Sequence, residues 1–398
     1  MQNPDVISLA AGLVDLHSLP VTRARAACES LMADESLARQ ALQYGTTQGA
    51  GRLRKHLLSH LAVLEGCDVS GLGINADQLL LTTGSQQLLS LVGEILLDPD
   101  DIALVAAPTY FAYLGTLNGL GARSIPIPSD DGGMRTDALE LELARLEAAG
   151  ELNRVKLIYV VSYYENPTGI SLLLERRREV IEIAHRWSKE QRIFVLEDAA
   201  YRELRYSGPD LPSLWSFDAD RDTVILAQTF SKSFSPGLRV GFGVVPKELV
   251  APLCDRKGNE DFGSANFNQH LLATVFEQGL YADHVESLRN TYRSKRDAML
   301  AAANKYFGDL SGVTSVHPDG GLYVWMTVPM RIDTGFSSDL FRQAVHVEKV
   351  MYVPGDVCYA GPHASCPRNQ MRLSFGTQDP AGIAEGMRRL SVALRTVL

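Results

Sequence analysis

A lysine among hydroxyl residues, with an arginine seven positions on, is the chain's strongest chemical signal: Gln228-Thr229-Phe230-Ser231-Lys232-Ser233-Phe234-Ser235-Pro236-Gly237-Leu238-Arg239. Hydroxyls and a guanidinium suit a phosphate oxyanion. An amine can form an imine with a carbonyl. A phosphate site beside an imine-forming lysine points to pyridoxal 5'-phosphate (PLP). Taken alone, the stretch also reads as a surface loop with a solvated lysine, so the rest of the chain must decide.

PLP chemistry needs a group that keeps the pyridine nitrogen protonated, and anchors for the phosphate and the ring oxygen. Asp198 follows an apolar run and can pair with the ring nitrogen. Tyr201 and Asn166 can donate hydrogen bonds to the ring oxygen. Tyr110 can stack on the ring. Gly84-Ser85-Gln86 stands between an expected strand and an expected helix, where backbone N–H groups form an anion site. Arg372 offers a planar fork for a substrate α-carboxylate. Once freed, the Lys232 amine can carry a proton between substrate and cofactor. Each residue has an ordinary alternative: Asp198 as a helix cap, Asn166-Pro167-Thr168-Gly169 as a turn, Tyr110 as a packing aromatic, Arg372 as an edge-strand charge. Their common placement at strand ends, where open α/β sheets bind ligands, favours the joint reading.

Strands must supply those ends. Gln78–Thr83, Ile102–Ala106, Ala122–Pro126, Val155–Val161, Arg192–Leu196, Val224–Ala227 and Val240–Val245 read as strands. Helical segments separate most of them, as at Gln87–Leu97, Asp137–Ala149 and Leu172–Gln191. The strands are continuous apolar runs, which predicts a mostly parallel sheet covered on both faces. After long helices to Phe307 the character changes. Gly320–Val328 alternates, and strands become few and mixed with helices. The expected fold is α/β: a large domain with a mostly parallel, seven-stranded-type sheet flanked by helices, plus a smaller α+β domain. The expected division is 1–40 as an N-terminal segment joining the small domain, 41–285 as the PLP-binding domain and 286–398 as the small domain.

The 398 residues are 45% hydrophobic and 21% charged, with a formal net charge of −9. That balance does not favour nucleic acid or an anionic membrane surface. Arg176-Arg177-Arg178 is expected on the solvated face of a helix. The five cysteines are widely spaced with no C-x-x-C pair, which argues against a disulfide framework and structural zinc and fits a reducing compartment. No stretch approaches the ~18 apolar residues of a membrane helix, and the N-terminus has no signal-peptide pattern. A cytoplasmic location and no resident metal are expected.

Taken in order, Tyr44-Gly45 with Gly49, Gly84-Ser85-Gln86, Pro108-Thr109-Tyr110, Asn166-Pro167-Thr168-Gly169, Asp198-Ala199-Ala200-Tyr201, Ser231-Lys232 with Arg239, and Met371-Arg372-Leu373-Ser374 resemble the fold-type I PLP-dependent aminotransferases of class I/II. The likeness runs from about residue 7 to the C-terminus. Tyr201-Arg202-Glu203-Leu204 and Gly321-Leu322-Tyr323-Val324-Trp325 are most similar to the 2-aminoadipate and kynurenine aminotransferase branch. The resemblance implies an aspartate aminotransferase-like fold and ping-pong amino-group transfer between an amino acid and a 2-oxo acid. It implies that Lys232, Asp198 and Tyr201 are catalytic. Gly84, Ser85, Gln86, Thr229 and Arg239 would hold the phosphate end, with Tyr110, Asn166 and Tyr201 at the ring. Arg372, Gly12 and Asn166 would meet the substrate. Tyr44 would reach the phosphate of a neighbouring subunit, which implies a homodimer with shared sites. Another PLP outcome (decarboxylase, oxidase, lyase or cyclase acting on an amino acid in a biosynthetic pathway) uses the same lysine and aspartate and stands as the alternative. A non-catalytic sensor domain of a transcription regulator is a rival of another class. The negative charge and the full lysine, aspartate and arginine set argue against it. Glu165 is expected to face solvent, and Arg23 and Arg25 to lie on a solvated helix face rather than to contact an acidic substrate.

Overall fold

The computed structural model describes residues 5–361 and 366–398. After a short strand β1 (Ile7–Ser8) come β2 (Leu79–Thr82), β3 (Ile102–Ala107), β4 (Arg123–Asp130), β5 (Gly133–Met134), β6 (Val155–Val161), β7 (Phe194–Asp198), β8 (Val224–Thr229) and β9 (Gly241–Val244). β2 to β9 form one sheet in the order β2-β9-β8-β7-β6-β3-β4-β5. β8, β7, β6, β3 and β4 run parallel to one another. β9 is antiparallel to both neighbours, which returns β2 to the direction of the parallel set. Six strands therefore end on one edge of the sheet. The two-residue β5 is an addition to the seven expected strands.

The apolar runs divide between the two faces with period 2, as a strand requires. Leu79, Leu81, Leu104, Ile158 and Val195 join one core cluster; Leu80, Val105, Tyr159 and Leu196 join the other. Helices cover both faces, as the continuous runs predict.

The C-terminal part builds a second sheet from β10 (Thr314–Ser315), β11 (Tyr323–Thr327), β13 (Val353–Pro354) and β14 (Gln370–Ser374), in the order β10-β11-β14-β13 and wholly antiparallel. β12 (Val350–Met351) pairs in parallel with β1, so the N-terminal strand is tied to the C-terminal part. The 28-residue helix Leu280–Phe307 runs between the two parts, and the expected division at 285/286 falls inside it. The closing helix Pro380–Val397 packs along it. Among the described residues, no helix is long and apolar enough to cross a membrane.

Two sequence expectations need correction. Lys247–Asp261 is a helix that the sequence did not suggest, because Pro252 and Gly258 interrupt the pattern. Arg177 is not solvated. Three consecutive residues of a helix point about 100° apart, and Arg177 shares its face with buried Val180, Ile181 and Ala184. Its guanidinium donates to the carbonyls of Leu172, Pro212 and Ser162 at 2.9, 2.9 and 2.5 Å, and Glu197 lies 3.9 Å away.

Candidate active site

The common edge of the sheet collects the chemistry. β7 ends at Asp198, β8 at Thr229 and β6 at Val161, while the turn after β2 opens the helix Ser85–Leu96. These residues line a cavity of about 270 Å3 together with Lys232, Arg239 and Arg372.

Lys232 Nζ donates to the Gly12 carbonyl at 2.8 Å. Burial lowers its pKa, and the positive charges of Arg372 and Arg239 push the same way. A depressed amine is closer to its free, nucleophilic form. Asp198 is buried at the end of its strand. Tyr159 donates to Oδ2 at 3.0 Å and the Ala200 N–H to Oδ1 at 3.1 Å. Those two bonds aim the carboxyl into the cavity. Burial raises its pKa to about 6. A cationic ring nitrogen beside it would favour the carboxylate by direct pairing. The Tyr201 hydroxyl is buried 3.1 Å from that of Tyr323.

Another corner of the cavity is made almost wholly of donors. Thr229 Oγ1 bonds Ser231 Oγ at 3.0 Å, and Arg239 reaches Ser231 Oγ at 3.3 Å. Arg239 meets no carboxylate among the described residues; its second bond goes to the Thr83 carbonyl. Gly84 holds φ +72°, and a Cβ there would lie 2.7 Å from the Arg239 guanidinium. So the backbone can approach only as glycine. The helix that starts at Ser85 adds its free N–H groups and dipole. Tyr110 OH donates to Gln86 Oε1 at 3.2 Å. Hydroxyls, a guanidinium and a helix N-terminus at one end, a buried carboxyl at another and an amine lining the same cavity are the donor set that PLP requires, so the residues fit the group.

Arg372 sits on β14, opposite Trp325 of β11. It donates to Asn166 Oδ1 at 2.7 Å and to the Ala10 carbonyl at 2.8 Å. Its Nε is buried with no partner. The Tyr323 ring lies 4.3 Å from the guanidinium and the Phe111 ring 5.6 Å. Gly12 packs against Tyr323, whose hydroxyl would be 2.6 Å from any Cβ at residue 12.

Most expected residues thus converge, and Gly84 backs the phosphate corner. Tyr44 does not line this cavity: it is 82% exposed, beside Phe262. Arg25 is exposed and Arg23 half-buried on the helix Val21–Ala33, and neither lines the cavity. Glu165 overturns its expectation: it is buried, with the Thr168 hydroxyl 3.0 Å from Oε2. The turn folds back through Gly169 N–H to the Glu165 carbonyl and draws the side chain inward. Sequence reading missed Tyr159 and Phe111 as site residues, and it placed Tyr323 and Ser231 within motifs without giving either a role of its own. Tyr159 lies mid-strand and looks like core. Phe111 lies next to a motif that was read, so adjacency was the available signal. His185, Asp218 and Asp222 bring ligand-type atoms within 4.8 Å of one another. Asp222 is paired with Arg192 and the His185 ring meets Thr223, and the group lies outside the cavity.

The family described as Aminotransferase class I and II matches residues 4–390. An aromatic-amino-acid aminotransferase of Thermococcus litoralis is 34% identical over 99% of this chain and 89% of its own length. The 2-aminoadipate transaminase of Thermus thermophilus is 34% identical over 100% of this chain and 92% of its own. The kynurenine aminotransferase of Pyrococcus horikoshii, solved in complex with PMP, superposes with a TM-score of 0.91 at 34% identity, over 100% of this chain and 92% of that one. With the donor set at the sheet edge and matches of this length, the chain belongs to the class I and II aminotransferase family: it is a PLP-dependent enzyme that moves amino groups between amino acids and 2-oxo acids.

Proposed function

We propose that Lys232 is the residue that holds the cofactor and moves the proton. The observation that carries this is its buried amine in a cavity shared with the Asp198 carboxyl and the phosphate-type corner. When bound, PLP supplies an electron sink that stabilises negative charge at the substrate α-carbon. Asp198 keeps the ring nitrogen protonated, held in aim by Tyr159 and the Ala200 N–H. Asn166 and Tyr201 serve the ring oxygen. Ser85, Gln86, Thr229, Ser231, Gly84 and Arg239 hold the phosphate end. Tyr110 packs against the ring. Arg372, oriented by Asn166, takes the substrate α-carboxylate, and Gly12 leaves room beside it. Lys232 Nζ, released to act as a base, carries a proton from the α-carbon.

Phe111 and Tyr323 give the substrate end aromatic walls. The cations lining the cavity in one chain are Lys232, Arg239 and Arg372, all with roles. That favours aromatic or apolar donors over dicarboxylic ones. The names of the relatives make aromatic amino acids and kynurenine the first donors to try, with the dicarboxylic 2-aminoadipate as the contrasting case.

We also infer a homodimer and a two-domain division near the expected boundaries. Leu42 and Tyr44, 67% and 82% exposed, line one cleft, and Phe262, 60% exposed, packs against Tyr44, an apolar patch of the kind that marks an interface. A cytoplasmic location is supported by the few, widely spaced cysteines, none in a C-x-x-C pair.

The test is spectroscopic. An aromatic donor alone should bleach the absorbance of lysine-bound cofactor, and a 2-oxo acid should restore it. Borohydride should then fix the cofactor to wild-type protein but not to Lys232→Ala, whose turnover should fall by at least about 100-fold. Covalent trapping at the usual site in the variant would sink the assignment. Irreversible release of carbon dioxide or ammonia would favour a different PLP outcome.

A further inference from the structure

Glu165 precedes the residue that orients Arg372, yet nothing so far has used its side chain. It is buried at 4% exposure, and among the described residues no cation faces it. Its hydrogen-bonded neighbour is the Thr168 hydroxyl at 3.0 Å; the buried Thr109 hydroxyl makes no hydrogen bond among the described residues. Thr168 also accepts from the Ile170 N–H at 3.2 Å, and Glu165 N–H donates to the Ile170 carbonyl at 2.8 Å. The carboxyl is thus the knot of a closed turn, Glu165 to Ile170, that carries Asn166.

A lone buried charge is costly, so such a group stays neutral. Burial accordingly raises its pKa to about 8, with only the two threonines opposing. The other ionisable groups facing this region are the Cys358 thiol, pushed up to about 12, and the Tyr359 phenol, pushed higher, both chiefly by burial. Asp356 acts on Cys358 from its own short helical turn. The Cys358 thiol feels both Glu165 and Arg372, so a charge on Glu165 would lie in the same buried region as the substrate-binding guanidinium.

We propose that Glu165 is a positioning residue for the substrate α-carboxylate: as the neutral acid it braces the turn that aims Asn166 at Arg372, and its ionisation loosens the hold on the carboxylate. The proposal rests on the assignment of Arg372 and Asn166 above. It predicts a pH effect on binding rather than on turnover. Below about pH 8 the carboxyl is neutral. Above it, the new charge repels an incoming carboxylate.

The probe is a simple aliphatic monocarboxylate, competing with an amino donor on the holoenzyme. It has no amine, and its own carboxyl titrates near 4 to 5, far from the window. Its inhibition constant should rise about 5-fold or more from below to above the Glu165 transition, with kcat little changed. Glu165→Gln is neutral at every pH and nearly isosteric, so its inhibition constant should stay flat at the low-pH value. Glu165→Ala should bind the carboxylate weakly at both pH values while retaining PLP. A flat wild-type profile, a wild-type rise that persists in Glu165→Gln, or tight binding by Glu165→Ala would each overturn the proposal. Arg372→Lys separates the two readings. If it leaves the inhibition constant unchanged, the assignment of Arg372 itself fails. If it weakens binding while the Glu165 variants behave as wild type, only the role of Glu165 fails.

Discussion

Single residues in this site are defined by what they lack as much as by what they touch. Arg372 spends two donors on Asn166 and Ala10 and leaves Nε buried without a partner. A buried, unpaired guanidinium donor implies an anion that arrives with the substrate. Lysine would preserve the charge and lose the fork. Arg372→Lys should therefore raise KM for amino donors by about 10- to 100-fold, with a smaller change in kcat. Steady-state kinetics on the PLP-saturated variant checks this; an unchanged KM would mean that the carboxylate binds elsewhere. Lys232, Asp198 and Arg372 were legible in the sequence because each chemical type is rare in an apolar run or at a strand end. Tyr159 was not, since a tyrosine within a strand is ordinarily core. Only its 3.0 Å bond to Asp198 shows its use.

At the level of elements, strand direction does the assembling. β6, β7 and β8 are parallel, so Val161, Asp198 and Thr229 must end together. The helices behind them are held by buried polar knots, and Arg177 is the largest. It ties the helix Leu174–Trp187 to the start of the Asn166 turn through the Ser162 carbonyl. Removing it leaves Glu197 buried without its counter-charge. Arg177→Ala should cost about 3 to 5 kcal/mol of stability, read as a lower denaturation midpoint. Surviving folded enzyme should keep a near-native KM. A loss within a few tenths of a kcal/mol would show that the carbonyls find water instead. The helix pattern was readable here, but the face on which Arg177 falls was masked by its arginine neighbours, half-buried Arg176 and exposed Arg178.

For the whole molecule, the N-terminal residues close the site from the far end of the chain. The Gly12 carbonyl accepts from Lys232, and the Ala10 carbonyl from Arg372. Tyr44, by contrast, points away from the cavity of its own chain. In the proposed dimer it serves the other site, so Tyr44→Ala should lose PLP on dialysis faster than wild type while sedimenting as the same assembly. A variant that retains cofactor like wild type would remove Tyr44 from the site; a monomeric wild type would remove the shared site altogether.

The sequence by itself determined the fold class, the lysine, the aspartate and the phosphate-type corner. Those features are local: an apolar run, a turn with glycine and hydroxyls, a polar residue at a strand end. Only the tertiary structure decided the fates of Glu165 and Arg177, the Tyr159 prop beneath Asp198 and the Tyr323 and Phe111 walls around Arg372. Each depends on which distant segment covers a side chain. Burial and partner choice are set by packing across the sheet edge, and chain spacing does not encode that.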